Sequence, residues 1–288
     1  MFRNLWKSLI VTLMLALSWS GNTFAQTSMY ISGVMHIESS SRTWPTDPFA
    51  FVEFFERATQ AGYTADRGTG MRWSIGADID WFLMEDPAVV DFIVTETAAL
   101  GVQWDIHAHD AADRGDCAQL TADAGATPTG VCSGLNVSEI DALRSAVTSS
   151  DGSTTWQATV LWGLTTRSGH GVGADDRAYG CWRPVSSARW TSHNRRGSLI
   201  AVGGGDRNLT DVGTFAVALE LHGASYPVTS ASINVRPETL LVVDTTDGIA
   251  EIETWAATMS SLNCVEWGTI SETATAWALA GGTNSRVP

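Results

Sequence analysis

Residues Asp86–Asp110 read DPAVVDFIVTETAALGVQWDIHAHD, and the way this stretch divides decides the fold. Its first part opens on Asp86-Pro87 and closes on Gly101. An aspartate cap, a proline at the first helical position and a terminal glycine are the marks of one helix. The second part, VQWDIHAH, is a short apolar run of strand type. A helix that feeds straight into a strand is half of a βα unit. The same Asp-Pro opening recurs at Asp47-Pro48, before FAFVEFFERATQAG, with Gly62 as the stop.

Working outward, MYISGVMHI (29–37) and RWSIGADIDWF (72–82) supply strands before these two helices. Downstream, NVSEIDALRSAV (136–147) has helical periodicity and WQATVLWGL (156–164) reads as a strand. SLIAVGG, TFAVALEL and ASINVR are strand-like. TDGIAEIETWAATMSSL is a helix, CVEWGTI a last strand and SETATAWALA a closing helix. The alternation predicts a βα barrel or an open parallel sheet in one domain, residues 26–288. In either fold ligands sit at the carboxyl ends of the strands.

The chain opens with Arg3 and Lys7, a dozen apolar residues from Ser8 to Trp19, and Thr23-Phe24-Ala25. This is the pattern of a secretory signal peptide over residues 1–25, and it predicts a secreted or periplasmic protein. The apolar stretch is too short for a membrane span. All 31 acidic residues follow Ala25, whereas two of the 17 basic ones precede it. Cleavage there leaves 15 against 31, a net charge of −16. Such a surface argues against nucleic acid and anionic membranes as partners. The only lysine, Lys7, leaves with the leader, which excludes a Schiff-base or phosphate-loop lysine.

Cys117, Cys132, Cys181 and Cys264 make an even count in an exported chain, which predicts two disulfides. Cys117 and Cys132 bracket AQLTADAGATPTGV, a stretch with the composition of a loop, so they are expected to pair. Cys181 and Cys264 remain as the second bridge. No CxxC pair is present for a four-cysteine zinc site.

Two strand ends carry chemistry. The first closes on His36-Ile37-Glu38 and the third on His107-Ala108-His109. Residues i and i+2 of a strand share a face, so each pair points one way. Two imidazoles and a carboxylate from neighbouring strand ends form a zinc shell with an open fourth position. The bland alternative is solvated loop polarity. His170, Asp175, Asp176 and Arg183 stand in the irregular stretch SGHGVGADDRAYGCWRP, His193 has no evident partner, and His222 ends FAVALELH. Asp78 with Asp80, or Asp175 with Asp176, would suit a metal-free glycoside hydrolase. Trp44, Trp81, Trp104, Trp182 and Trp190 lie in or beside these loops. Exposed indoles there would favour a carbohydrate ligand, and the alternative is ordinary core.

The order of these motifs resembles the polysaccharide deacetylase family. In MHIE, Glu38 matches the later acid of that family's first motif, and His36 stands where its catalytic aspartate belongs. In GVQWDIHAHD, His107 matches the first metal histidine. The second would fall at Ala111, and His109 is the local substitute. CWRP, with Arg183 and Pro184, is similar to the arginine motif. LELH, with His222, looks like the late leucine-histidine motif, a structural place that INVRP at Arg236 could also fill. CVEWGTISETATAW is similar to the family's last strand and helix.

The resemblance implies a distorted (β/α)7 barrel and a metal-dependent hydrolase that removes an acyl group from a polysaccharide or glycan. It implies a divalent metal, zinc, on Glu38, His107 and His109. His36 would be the general base, with Glu38 also near the reaction. Arg183 would position a carboxylate, and His222 would protonate the leaving group. A non-catalytic glycan-binding protein on the same fold is the alternative.

Overall fold

The computed structural model describes residues 27–38, 45, 47–166, 178–205, 207–235 and 245–288, with the backbone alone for 245–247. Residues 1–25, expected to form a signal peptide, and Trp44, His170, Asp175, Asp176 and Arg236 lie outside the described residues.

The strands are β1 (Ser28–Ile37), β2 (Arg72–Ala77), β3 (Gln103–His107), β4 (Pro128–Ser133), β5 (Val147–Thr148), β6 (Thr155–Trp156), β7 (Val160–Trp162), β8 (Cys181–Trp182), β9 (Ile200–Val202), β10 (Val228–Asn234) and β11 (Val265–Trp267). Apart from the small β5–β6 pair, they form one nine-stranded sheet among the described residues, ordered β10-β1-β2-β3-β4-β7-β9-β8. The run from β10 to β9 is parallel, and β8 joins β9 antiparallel. The sheet is distorted at β1. One edge pairs with β10, while the other pairs first with β11 over Met29–Ile31 and then with β2 over Ser32–Ile37.

The two ends of the sheet approach each other. Gly180 N donates to Ser230 O at 2.9 Å, and Ser232 Oγ donates to Gly204 O at 2.8 Å. Gly204 is required at this seam: its φ is +104°, and a Cβ there would lie 2.5 Å from Ser232 N. The result is an α/β fold with a nearly closed, distorted barrel.

The helices are α1 (Pro48–Ala58), α2 (Ile79–Met84), α3 (Pro87–Ala99), α4 (Arg114–Asp123), α5 (Leu209–His222), α6 (Thr245–Ser260) and α7 (Ile270–Leu279). The two Asp-Pro openings behave as read. Asp47 accepts from Phe49 N and Ala50 N, and Asp86 accepts from Ala88 N. Phe51, Phe54 and Phe55 of α1 then pack with Met35, Ile37, Trp73 and Ile75, the outward faces of β1 and β2. Inward-facing Val34, Val131, Val160 and Val202 pack instead on Ile270, Ala274 and Trp277 of α7. This last helix is the barrel floor. Ile270 N donates to Ser74 Oγ, Ser271 N donates to Gln103 Oε1, and Glu272 pairs with Arg72, all at the amino ends of β2 and β3. No helix among the described residues is long and apolar enough to cross a membrane.

The disulfide expectation is corrected. All four cysteines are free thiols and buried. The supposed Cys117–Cys132 loop is α4 followed by β4, so the two thiols are fixed in separate regular elements. Cys181 packs inside the barrel and Cys264 in the outer layer, on opposite sides of the sheet. Two further elements differ from expectation. TFAVALEL belongs to α5. NVSEIDALRSAV forms two 3-10 turns, Val137–Glu139 and Ala142–Arg144. There Ser138 O and Asp141 N, which a helix would use, bond to Ser187 Oγ at 2.9 and 3.2 Å. A tertiary contact has displaced the local periodicity.

Candidate metal centre

The carboxyl ends of β1 and β3 are neighbours of β2, and the even-numbered face of β1 and the odd-numbered face of β3 both point into the barrel. His36 therefore meets His107 at the mouth, with ring centroids 4.1 Å apart and planes inclined by 35°. Glu38, just beyond β1, reaches back between them. Its Oε1 lies 3.0 Å from His107 Nε2 and 3.5 Å from His36 Nδ1. One ligand atom from each of His36, Glu38 and His107 falls within 4.8 Å of the others.

The intervening strand makes this approach possible. Gly76 is the inward residue of β2 beside His36. A Cβ at Gly76 would lie 2.8 Å from Ser133 Oγ, 2.9 Å from His107 Cβ and 3.3 Å from His36 Cδ2. Ser133, the last residue of β4, holds His107 from the far side, with Nδ1···Oγ at 3.1 Å. Trp162, at the end of β7, sets its ring edge-on to His36 at 5.2 Å and donates Nε1–H to Ser232 Oγ at 2.9 Å.

Burial sets the charges. His107 is fully buried, and desolvation, with His36 beside it, lowers its imidazole to about 4 against the opposing pull of Glu38. Desolvation also acts to raise the Glu38 carboxyl. The hydrogen bonds and charges of His107 and His36 outweigh it and hold the group well below the usual carboxylate range. The pair is a carboxylate and a neutral imidazole, which are the states a metal ion requires of such ligands. Two imidazoles and one carboxylate are also the donor set of a catalytic zinc with an open position. The residues present fit a divalent ion.

His109 is exposed at the rim, its ring 4.8 Å from that of His107 and nearly perpendicular at 85°. The donor cluster thus takes in His36 where the sequence reading had placed His109. Arg183 and His222 are not brought to the mouth. Arg183 follows β8, which descends towards the floor, and its guanidinium lies 4.9 Å over the Trp277 ring of α7. His222 ends α5, exposed, at the amino-end side from which the chain enters β10. His193 is beside Arg183, accepting its backbone N–H at Nδ1. Asp78 is buried and caps α2 through Trp81 N. Trp81, Trp104 and Trp182 are fully buried core residues, so they offer no sugar-stacking surface.

Sequence reasoning missed Gly76, Ser133, Trp162 and Asp105. Asp105 lies on the face of β3 that carries His107, one pleat deeper. It accepts hydrogen bonds from Gln103 and Thr129, and burial raises its carboxyl to about 7. The i, i+2 rule applied to His107 would have found Asp105. Nothing local marks Gly76 or Ser133, because their roles exist only across strands.

Compared with protein-family models, with curated proteins and with solved structures, the chain matches none.

Proposed function

We propose that this protein is an exported, metal-dependent hydrolase that removes an acyl group, such as acetyl, from a carbohydrate. The observation that carries the metal-hydrolase part is the convergence of His36, Glu38 and His107 at the barrel mouth. A divalent ion held there, zinc by donor preference, would supply Lewis acidity towards an acyl carbonyl and a water activated near neutral pH.

The chain's own residues do the rest. Glu38 and the two imidazoles would hold the ion, while Gly76 keeps them close. Exposed His109 sits beside His107, in place to hold or move a proton as the leaving group departs. Trp162 and the buried wall around it limit water on the inner side. The carbohydrate and its acyl group are supported by the likeness of the motifs MHIE and WDIHAHD to those of polysaccharide deacetylases, as is the deacetylase type of barrel. Export is supported by the pattern of residues 1–25.

Two measurements test this. The purified protein is expected to bind one zinc per chain, and His107→Ala to abolish that binding. Over a panel of acetylated glycans, acetate release is expected without shortening of the chains. Shortened chains without acetate would instead indicate glycosidic cleavage, and glycan binding without product would indicate a lectin-like role. Retention of full metal occupancy in both His36→Ala and His107→Ala would sink the metal centre.

A further inference from the structure

The carboxyl ends of α1 and α6 enclose a cavity of about 490 Å³ on the outside of the barrel. Helix α1 leads into β2 and α6 into β11, so the cavity lies on the amino-end side of the sheet, away from the mouth. Its inner wall is fixed by close packing. Ser260 Oγ donates to Gly62 O and accepts from Trp267 Nε1 at 3.1 Å. Gly62 has φ +69°, and a Cβ there would lie 2.7 Å from Ser260 Oγ and 2.9 Å from Ala256 O. Only glycine lets the turn after α1 come down on α6 in this way.

The cavity is lined by polar groups that the protein leaves unused. Glu56, Gln60, Tyr63 and Thr64 all face it, and none of their side chains makes a hydrogen bond among the described residues. Arg57 differs, since its Nε and Nη2 donate to Glu253 Oε1 and Oε2 at 3.0 and 2.8 Å. That pair occupies two of the five guanidinium N–H groups, so free donors and carboxylate lone pairs stand side by side. A sugar hydroxyl both donates and accepts, and two on adjacent carbons match such a pair. Tyr63 is 54% exposed and offers a ring face on which the C–H face of a pyranose can stack. Charge narrows the class further. Glu56 and Glu253 outweigh Arg57, and two helix carboxyl ends add partial negative charge, which disfavours an anion. The volume is that of a small-molecule site and too large for a lone ion.

We propose that this cavity is a second carbohydrate site, which takes a neutral stretch of glycan by stacking on Tyr63 and by hydrogen bonds to Glu56, Gln60 and the Arg57–Glu253 pair. It rests on the carbohydrate part of the reading above and is independent of the metal. A site so far from the mouth serves a polymer, which can occupy both places, and not a single acylated sugar.

The experiment titrates the full folded, 15N-labelled chain with cellotetraose, xylotetraose and fully N-acetylated chitotetraose, and with tetragalacturonate as an anionic control. The amide signals of Gly62 and Thr64 report this cavity, and that of Gly76 reports the mouth. At least one neutral tetrasaccharide is expected to shift Gly62 and Thr64, and tetragalacturonate to leave them in place. Tyr63→Ala is expected to weaken that binding about tenfold, the upper end of what a ring contact contributes, and Tyr63→Phe to retain most of it. Shifts at Gly76 alone would overturn the proposal and leave the carbohydrate reading standing, as would a Tyr63→Ala protein that binds within twofold of the original. Tighter binding of tetragalacturonate than of any neutral chain would overturn it as well. If no oligosaccharide shifts Gly62 or Thr64 the proposal falls, and acetate release from acetylated glycans then decides separately whether the reading above survives.

Discussion

At the scale of single residues, the site is made by what is small as much as by what carries the donor atoms. Ala at position 76 adds one methyl, and that methyl meets Ser133 Oγ at 2.8 Å and His107 Cβ at 2.9 Å. Neither neighbour can retreat, because both belong to strands of the same sheet. Gly76→Ala is expected to cost roughly 1–3 kcal/mol of stability by overpacking, and to weaken zinc binding as His36 and His107 are pushed apart. Thermal unfolding and calorimetric zinc titration report the two effects separately. The cysteines give a second residue-scale expectation. Burial pushes the thiols of Cys117, Cys181 and Cys264 up to about 12 and that of Cys132 to about 11. Since the thiolate is the reactive form, a chromogenic disulfide reagent at pH 8 should find almost no thiol in the folded chain. Four per chain should appear on unfolding without reductant. Two per chain, or none, would restore the disulfides that the folded geometry rules out.

At the scale of elements, legibility followed locality. The openings of the two Asp-Pro helices could be read because cap and first turn are set by adjacent residues; Gly101 follows the end of α3 as expected, whereas α1 ends at Ala58, short of the expected stop at Gly62. Asp47 illustrates the contribution: its carboxylate takes the N–H groups of Phe49 and Ala50. Asp47→Ala should therefore lower stability by about 1 kcal/mol, and Asp47→Ser should recover most of it, as chemical denaturation can show. The pairing of His36 with Glu38 at one strand end was legible for the same kind of reason, since alternation along a strand is local; that His36 rather than His109 joins Glu38 and His107 was not, because it is decided across strands. Helix α5 was not. Its buried residues Val212, Ala216 and Leu219 recur at helical spacing, but exposed Val217 and Leu221 lie among them and hide the period. The cysteine segment misled by composition, its glycines and threonines suggesting a loop where α4 and β4 stand. Arg183 and His222 were assigned through motif order, which says nothing of which end of a barrel a residue will occupy.

At the scale of the whole molecule, the barrel has two ends with separate tasks. The mouth gathers the titratable groups, and the floor is closed by α7, which touches β1, β4, β7, β9 and β10. Several interactions hold the plug in place. Thr269 and Glu272 form a capping box at its start, Glu272 also pairs with Arg72 at 3.0 Å, and Trp277 donates Nε1–H to Thr283 O at 2.7 Å. Trp277 is the largest group in this layer, fully buried beneath the valines of the inner face and covered by the Arg183 guanidinium. Removing it would leave a cavity that a ring of strands cannot collapse to fill. Trp277→Ala is thus expected to destabilise by roughly 3–5 kcal/mol. The decisive feature is where that loss is felt. The mouth is built from the opposite ends of the strands, so the surviving folded protein should bind zinc with an affinity within a few-fold of the original. The proposed zinc site exists only in the folded form, so saturating zinc should raise the unfolding temperature of the variant and of the parent alike. A Trp277→Ala protein that folds but loses zinc binding altogether would show that floor and mouth are not independent ends of one barrel, and one that keeps its stability would overturn the packing role of Trp277.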